Sequence, residues 1–258
     1  MARRATAIEE ERKLTPRVLL LDAGNALTGQ SLADATRGKV IIEAMNRLGY
    51  TAMTIGEVEL QLGLDELTAR MQEAKFPMLS ANVMVKSTGK PLAQPYTVVE
   101  LGRLKVGILG LTNDNAAQIA AASGVGGATP ASVADQFTVT DPLQAARRFL
   151  PELAAQSDIV VLLSHMGLDM DQRLAQEVAG IAVIVGGSTR RVLDSPLVVQ
   201  ETLIVQAGYD GEWLGRLRLK IDGKKVVRNE GQVLALGPEY KDHPDIARWL
   251  QELKSKAP

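Results

Sequence analysis

The feature that most constrains this chain is its alternation of short apolar runs with helical patterns. "RVLLLDAG" (17–24), "DIVVLLSHMG" (158–167) and "IAVIVGG" (181–187) are Val/Ile/Leu runs bounded by Gly, Asp and Ser. They are too short for helices and read as strands buried on both faces. "TAMTIG" (51–56) and "FPMLSANV" (76–83) read as further strands, and "PYTVVELGRLKVGILGLTN" (95–113) as two strands joined at a Gly-Arg turn. Helical spacing marks 31–49, stopped by Gly49, then 63–74, then 141–157 with Asp141-Pro142 at its start. A further helix is predicted over 169–180, capped by Asp169 and closed by Gly180. The stretch 114–142 reads as a short helix to Ser123 and then a surface loop. Beyond residue 193 the rhythm changes to strands and turns, including a hairpin at "DGKK", and then an amphipathic helix over 242–256 with Trp249 and Leu250 inward. The pattern predicts one α/β domain over 1–258 with mixed, layered sheets.

Composition narrows the function classes. With 46% hydrophobic and 23% charged residues the chain is globular in character, and a net charge of −1 with 3% aromatics provides no footprint for nucleic acid. No apolar run is long enough to insert in a membrane. There are no cysteines and two histidines, which excludes thiolate sites and His-rich metal centres. The opening "MARRATAIEEERKLTPR" lacks the apolar core of a signal peptide. Its Ala5, Ile8 and Leu14 fit a helix with a charged outer face, and a start on a helix suggests an absent upstream segment.

In such folds the carboxyl ends of strands form the functional crevice. Here they present Asp22 and Asn25, Glu57 and Glu59, Asn82, Ser164 and His165, and Ser188, Thr189 and Arg190. Each has a plain structural alternative. His165 can bond backbone at a strand end, Asp22 can cap a turn, and Glu57 and Glu59 can be solvated charges. Asp169 and Asp171 can start a helix, where the macrodipole favours anions. "GGSTRR" (186–191) reads either as a loop or as a nest of outward N–H groups. His243 reads as a surface residue at a helix start.

Five segments carry a resemblance. "LLLDAGNALTG", "AMNRLGYTAMTIGEVELQLG", "LSANV", "VVLLSHMGLDMDQRLAQEVAGIAVIVGGSTR" and "IVQAGYDGEWLGRLRLKID" resemble, in order, motifs of the calcineurin-like metallophosphoesterase domain of the 5'-nucleotidase/UDP-sugar hydrolase family. The resemblance implies a layered α/β/β/α sandwich with mixed sheets. It also implies an extracytoplasmic protein, two divalent metal ions, and a C-terminal base-binding domain for which this chain shows no sequence.

The departures fall where the resemblance places the chemistry. The family's first D-x-H strand has no counterpart. Asn25 stands at the bridging Asp, Glu57 at the metal-binding Asn and Val58 at the catalytic His. Ser188 and Arg190 stand at the last two His ligands, leaving His165 as the one retained metal ligand of the usual set. A single imidazole cannot hold two divalent ions, so no cofactor is expected. Arg190 is expected to replace the lost cation by pairing with Glu57. The leading expectation is a degenerate, inactive domain that serves binding or assembly with a protein partner. The alternative is an active phosphoric ester hydrolase with a remodelled or mononuclear site using Glu57 and His165. A third reading is a receptor for a small anion or phosphate-containing ligand, held by Arg190, Arg191 and the glycine-rich loop.

Overall fold

The computed structural model describes residues 1–123, 133 and 135–256. In chain order the elements are α1 (Ala2–Leu14), β1 (Leu21–Asp22), α2 (Ser31–Ala35), α3 (Lys39–Leu48), β2 (Ala52–Thr54), α4 (Glu57–Leu60), α5 (Leu64–Glu73) and β3 (Met78–Leu79). Then come β4 (Val83–Val85), β5 (Lys90–Pro91), β6 (Tyr96–Leu101), β7 (Leu104–Thr112), α6 (Ala116–Ser123), β8 (Phe137–Val139), α7 (Pro142–Gln156) and β9 (Ile159–His165). The remainder is α8 (Leu168–Glu177), β10 (Val183–Gly186), β11 (Leu197–Val199), β12 (Thr202–Val205), β13 (Trp213–Asp222), β14 (Lys225–Ala235) and α9 (Pro244–Lys256).

A six-stranded mixed sheet, in the order β11-β12-β10-β9-β7-β6, is parallel through its middle and antiparallel at both edges. A parallel β1-β2-β3 sheet and the β13-β14 hairpin face it. Side-chain parity explains the layers. On β9, Val160 and Leu162 join the core under α7 and α8, while Val161 and Leu163 join the core between the sheets. A third core packs α1, α3, α5 and α9 against the outer side of the smaller sheet, completing an α/β/β/α sandwich. The Asp141 side chain accepts the Gln144 N–H, capping α7 as its sequence predicts.

Several boundaries differ from the sequence reading. The helix expected over 31–49 is broken into α2 and α3, because Arg37 and Gly38 both take positive φ (48° and 79°). "FPMLSANV" is split between β3 and β4. Ala81 donates its N–H to Gly110 and Ser80 to Gln94, which carries the chain out of the first sheet. It then joins a small antiparallel sheet, β5-β4-β8. Strand β8 lies inside the stretch read as loop; 124–132 and 134 of that stretch fall outside the described residues. Only Leu21–Asp22 of "RVLLLDAG" pair as a strand. Leu14 is exposed rather than packed. The N-cap of α8 is Gly167, not Asp169, and its C-cap is Val178, not Gly180.

Candidate functional site

Three strand ends, those of β1, β2 and β9, meet at one point. After β1 the backbone turns through Gly24 and Asn25 with φ of 89° and 61°, which aims the Asn25 side chain at the start of α4. The Asn25 amide donates to Glu57 Oε1 at 2.6 Å, and its Oδ1 accepts the Val58 N–H at 3.0 Å. The other Glu57 oxygen lies 2.9 Å from His165 Nε2. This contact is off the N–H axis, so charge attraction carries it rather than a linear hydrogen bond. His165 Nδ1 lies 2.6 Å from the Ala23 carbonyl. With an acceptor at each ring nitrogen, the imidazole is stabilised as a cation.

The electrostatics agree. Burial would lower the His165 pKa, but the Glu57 carboxylate and the Ala23 carbonyl raise it above the ordinary value. Burial opposes ionisation of Glu57, yet His165, Asn25 and a backbone N–H bring its carboxyl down to about 2. The two form a nearly enclosed ion pair, with side chains 2% and 16% exposed. Burial pushes the Asp22 carboxyl up to about 6, with Glu59 adding to the rise and Arg4 opposing it. Asp22 also accepts the Gly24 N–H, the turn-capping role its position suggests.

Glu59 is the scaffold of the site rather than a solvated charge. It is fully buried and accepts four backbone N–H groups, from Asn25, Ala26 and Leu27 on one loop and from Gly56 on the other. Its place three residues into α4 after Gly56 is the sequence signal for this reach back to the helix start. Gly56 must remain without a side chain, because a Cβ there would collide with the Asn25 Oδ1 and lie 2.9 Å from the His165 ring. Asn82 is buried as a strut. It donates to the Thr112 and Thr140 carbonyls and accepts the Thr112 N–H.

Arg190 does not pair with Glu57. Its guanidinium lies 5.5 Å from the Tyr209 ring centroid, on an exposed loop where Ser188 and Arg190 take positive φ. The expected substitution of Arg190 for a lost cation is therefore corrected: His165, already within the pocket, supplies the positive charge beside Glu57. Behind the pocket, Ser164 donates a short hydrogen bond to Asp171, a buried residue of α8. Asp171 does sit in the helix's first turn, but it is no surface charge; burial pushes its carboxyl up to about 7.

The donor set does not fit a pair of metal ions. Among the described residues no group of three or more His, Cys, Asp or Glu side chains is placed to hold one. His165 Nδ1 faces the Ala23 carbonyl, and its Nε2, without a hydrogen-bond partner, lies 2.9 Å from the Glu57 carboxylate, whose charge favours a proton on that nitrogen. Glu57 is committed to His165 and Asn25, and neither Val58 nor Arg190 is a metal donor.

No protein-family model matches the sequence. Over 278 aligned residues it is 30% identical to snake venom 5'-nucleotidase of Crotalus adamanteus, covering 98% of this chain and 46% of that protein. A 5'-nucleotidase precursor from Thermus thermophilus superposes with a TM-score of 0.86 at 29% identity, over 98% of this chain and 52% of that one. Over nearly its whole length the chain is similar to 5'-nucleotidases and shares their metallophosphoesterase fold. The calcineurin-like phosphoesterase YfkN of Bacillus subtilis shares the fold, with a TM-score of 0.85, 23% identity and coverage of 100% of this chain and 89% of its own. This metallophosphoesterase-like chain spans about half the length of the curated 5'-nucleotidases it matches. No helix among its described residues is long and apolar enough to cross a membrane.

Proposed function

We propose that this nucleotidase-like phosphoesterase domain does not hydrolyse phosphate esters and instead works as a binding or assembly module. One observation carries the reading. In the Asn25–Glu57–His165 network the Glu57 carboxylate takes the Asn25 amide on one oxygen and faces the His165 ring with the other, and Asn25 Oδ1 accepts the Val58 N–H. An internal cation–anion pair occupies the position where the family resemblance expects metal ligands. With Val58 at the position of the transition-state imidazole, no side chain of this group is free to donate a proton to a leaving oxygen. The retained scaffold still presents strand-end loops, which suit ligand or partner recognition. The test is turnover of an aryl phosphate by the purified chain with added Mn²⁺ or Zn²⁺, alongside elemental analysis. The expected result is no metal-dependent turnover and well under about 0.1 equivalent of bound metal. Turnover that rises with metal and is lost in His165→Ala would establish the active-hydrolase alternative.

A further inference from the structure

Among the described residues the β13–β14 hairpin pairs with no third strand. Seven of the eleven residues of β14 are exposed, against four of ten in β13, so β14 is the open edge. No backbone hydrogen bond among the described residues joins Lys225–Ala235 to anything but β13. A row of unpaired N–H and C=O groups is a template for another strand. The edge is also held in place. Leu217, Leu219 and Val226 pack in the core between the sheets, Glu11 of α1 grips Arg216 and Arg218 at 2.8 and 3.0 Å, and Lys224 at the turn donates to the Ser157 carbonyl. A preformed strand loses little freedom when a second one joins it.

The side chains along this edge complement themselves. Pairing with β13 sets Arg228 and Glu230 opposite Lys220 and Arg218 on one face of the hairpin, with Asn229 on the other face. Among the described residues Arg228 forms no ion pair, and Glu230 has only a 3.9 Å contact with Arg218, which Glu11 already holds. We infer that β14 is a self-association edge, at which a second copy of this chain pairs antiparallel about a two-fold axis at Asn229. Arg228 of each copy then lies directly opposite Glu230 of the other. Centring the pair on Arg228 or on Glu230 would oppose like charges, so the charges select one register. A net charge of −1 leaves little long-range repulsion between copies.

Apolar surface supports the same register. Val227, 55% exposed, comes opposite Gly231 of the other copy, where Pro196 fills the space beside the glycine; a Cβ on Gly231 would lie 2.5 Å from the proline ring. Pro196 leads into β11, the edge of the six-stranded sheet, so both layers of the sandwich end on this side. Val198 of β11 pairs with Leu203 of the inter-sheet core and shares its face, yet is 60% exposed. A second copy continues the facing layer past this point and covers it. The pairing register with β13 shifts just before Arg228, which makes Val227 an extra, bulged residue, and two-fold symmetry then confines the ladder to 227–231. So short a ladder belongs to the weak, concentration-dependent class of contacts.

Self-association here goes beyond the function proposed above and is independent of it. The edge involves none of Asn25, Glu57 and His165, so turnover of a phosphate ester would leave it standing. Sedimentation equilibrium of the full chain from about 1 µM to about 1 mM should show a monomer–dimer equilibrium. Arg228→Glu makes both positions acidic and Glu230→Arg makes both basic, so each variant alone should dimerise about tenfold more weakly or worse. Mixed in equal amounts the two variants present complementary edges and should associate as the wild type does. The double exchange, Arg228→Glu with Glu230→Arg, should restore the homodimer. Both side chains are exposed, and an unchanged Tm at low concentration checks that the fold is intact. A chain that is monomeric throughout this range, a dimer that both single variants leave unchanged, or weakened variants that mixing does not rescue would each overturn the pairing.

Discussion

Replacing Glu57 with Gln tests the internal ion pair directly. The change keeps shape and removes only the anion, leaving a His165 ring that is 2% exposed beside a neutral amide. The Glu57 carboxyl moves from 4.5 to about 2 on folding, and at about 1.4 kcal/mol per unit the interaction contributes on the order of 3 kcal/mol at neutral pH. For a domain of this size that corresponds to a fall in Tm of roughly 6–12 °C. The sign depends on pH in a definite way. Because the folded Glu57 pKa lies below its unfolded value, its contribution is present above pH 4.5 and is lost as pH falls through about 2. Because the folded His165 pKa lies above 6.5, its contribution is complete below 6.5 and is lost as pH rises through the folded value. Wild type and Glu57→Gln should therefore differ most between about pH 4.5 and 6.5. Urea denaturation across pH gives the stability difference, and NMR titration of the His165 ring gives its pKa. In the variant, burial is opposed only by the Ala23 carbonyl and the Glu59 charge, so the ring's midpoint should fall below its wild-type value. A stability difference under about 1 kcal/mol at pH 6, or an unchanged His165 midpoint, would refute the pairing.

Two further outcomes follow from buried carboxylates. Glu59→Gln turns an amide NH₂ toward backbone donors that now bond the carboxylate; with two N–H groups left without acceptors, the loss should be about 2–6 kcal/mol. It should be seen as a lower urea midpoint with unchanged m-value. Asp171 has a folded pKa of about 7 against 3.8 unfolded, so the unfolded state holds fewer protons between these values and stability falls as pH rises through that window. Asp171→Asn should remove that slope and be more stable than wild type at pH 8, by up to about 4 kcal/mol; parallel pH profiles for the two proteins would contradict this.

Much of this fold could be read in the residues because apolar runs and helix caps are local signals. Val160 to Leu163 announce a strand buried on both faces, and Asp141-Pro142 announce a helix start. The breaks were hidden where tertiary contacts decide. Nothing in "FPMLSANV" reveals that Gly110 and Gln94 will draw Ser80 and Ala81 away from β3, and a positive φ at Arg37 is not a property of arginine. At the site, sequence position placed Asn25, Glu57 and His165 together but misassigned the cation. Arg190 is the stronger permanent charge, and it faces Tyr209 because the 187–191 loop is tied to residues 206–208. The burial of Asp171 follows from its meeting with Ser164 across a strand–helix junction, which helical spacing alone does not encode.

Ser164 and His165 are neighbours in sequence yet serve opposite compartments, one bonded to a helix behind the sheet and the other to the loops in front of it. Alternation along a strand makes this an all-or-nothing arrangement. Inserting or deleting a single residue upstream in β9 would exchange the hydroxyl and the imidazole, stranding a ring among the leucines beneath α7 and α8 and leaving Glu57 without its counter-charge. The charge state of the crevice is thus set by the phase of one strand, and evolution can retune its loops freely only while that phase is conserved.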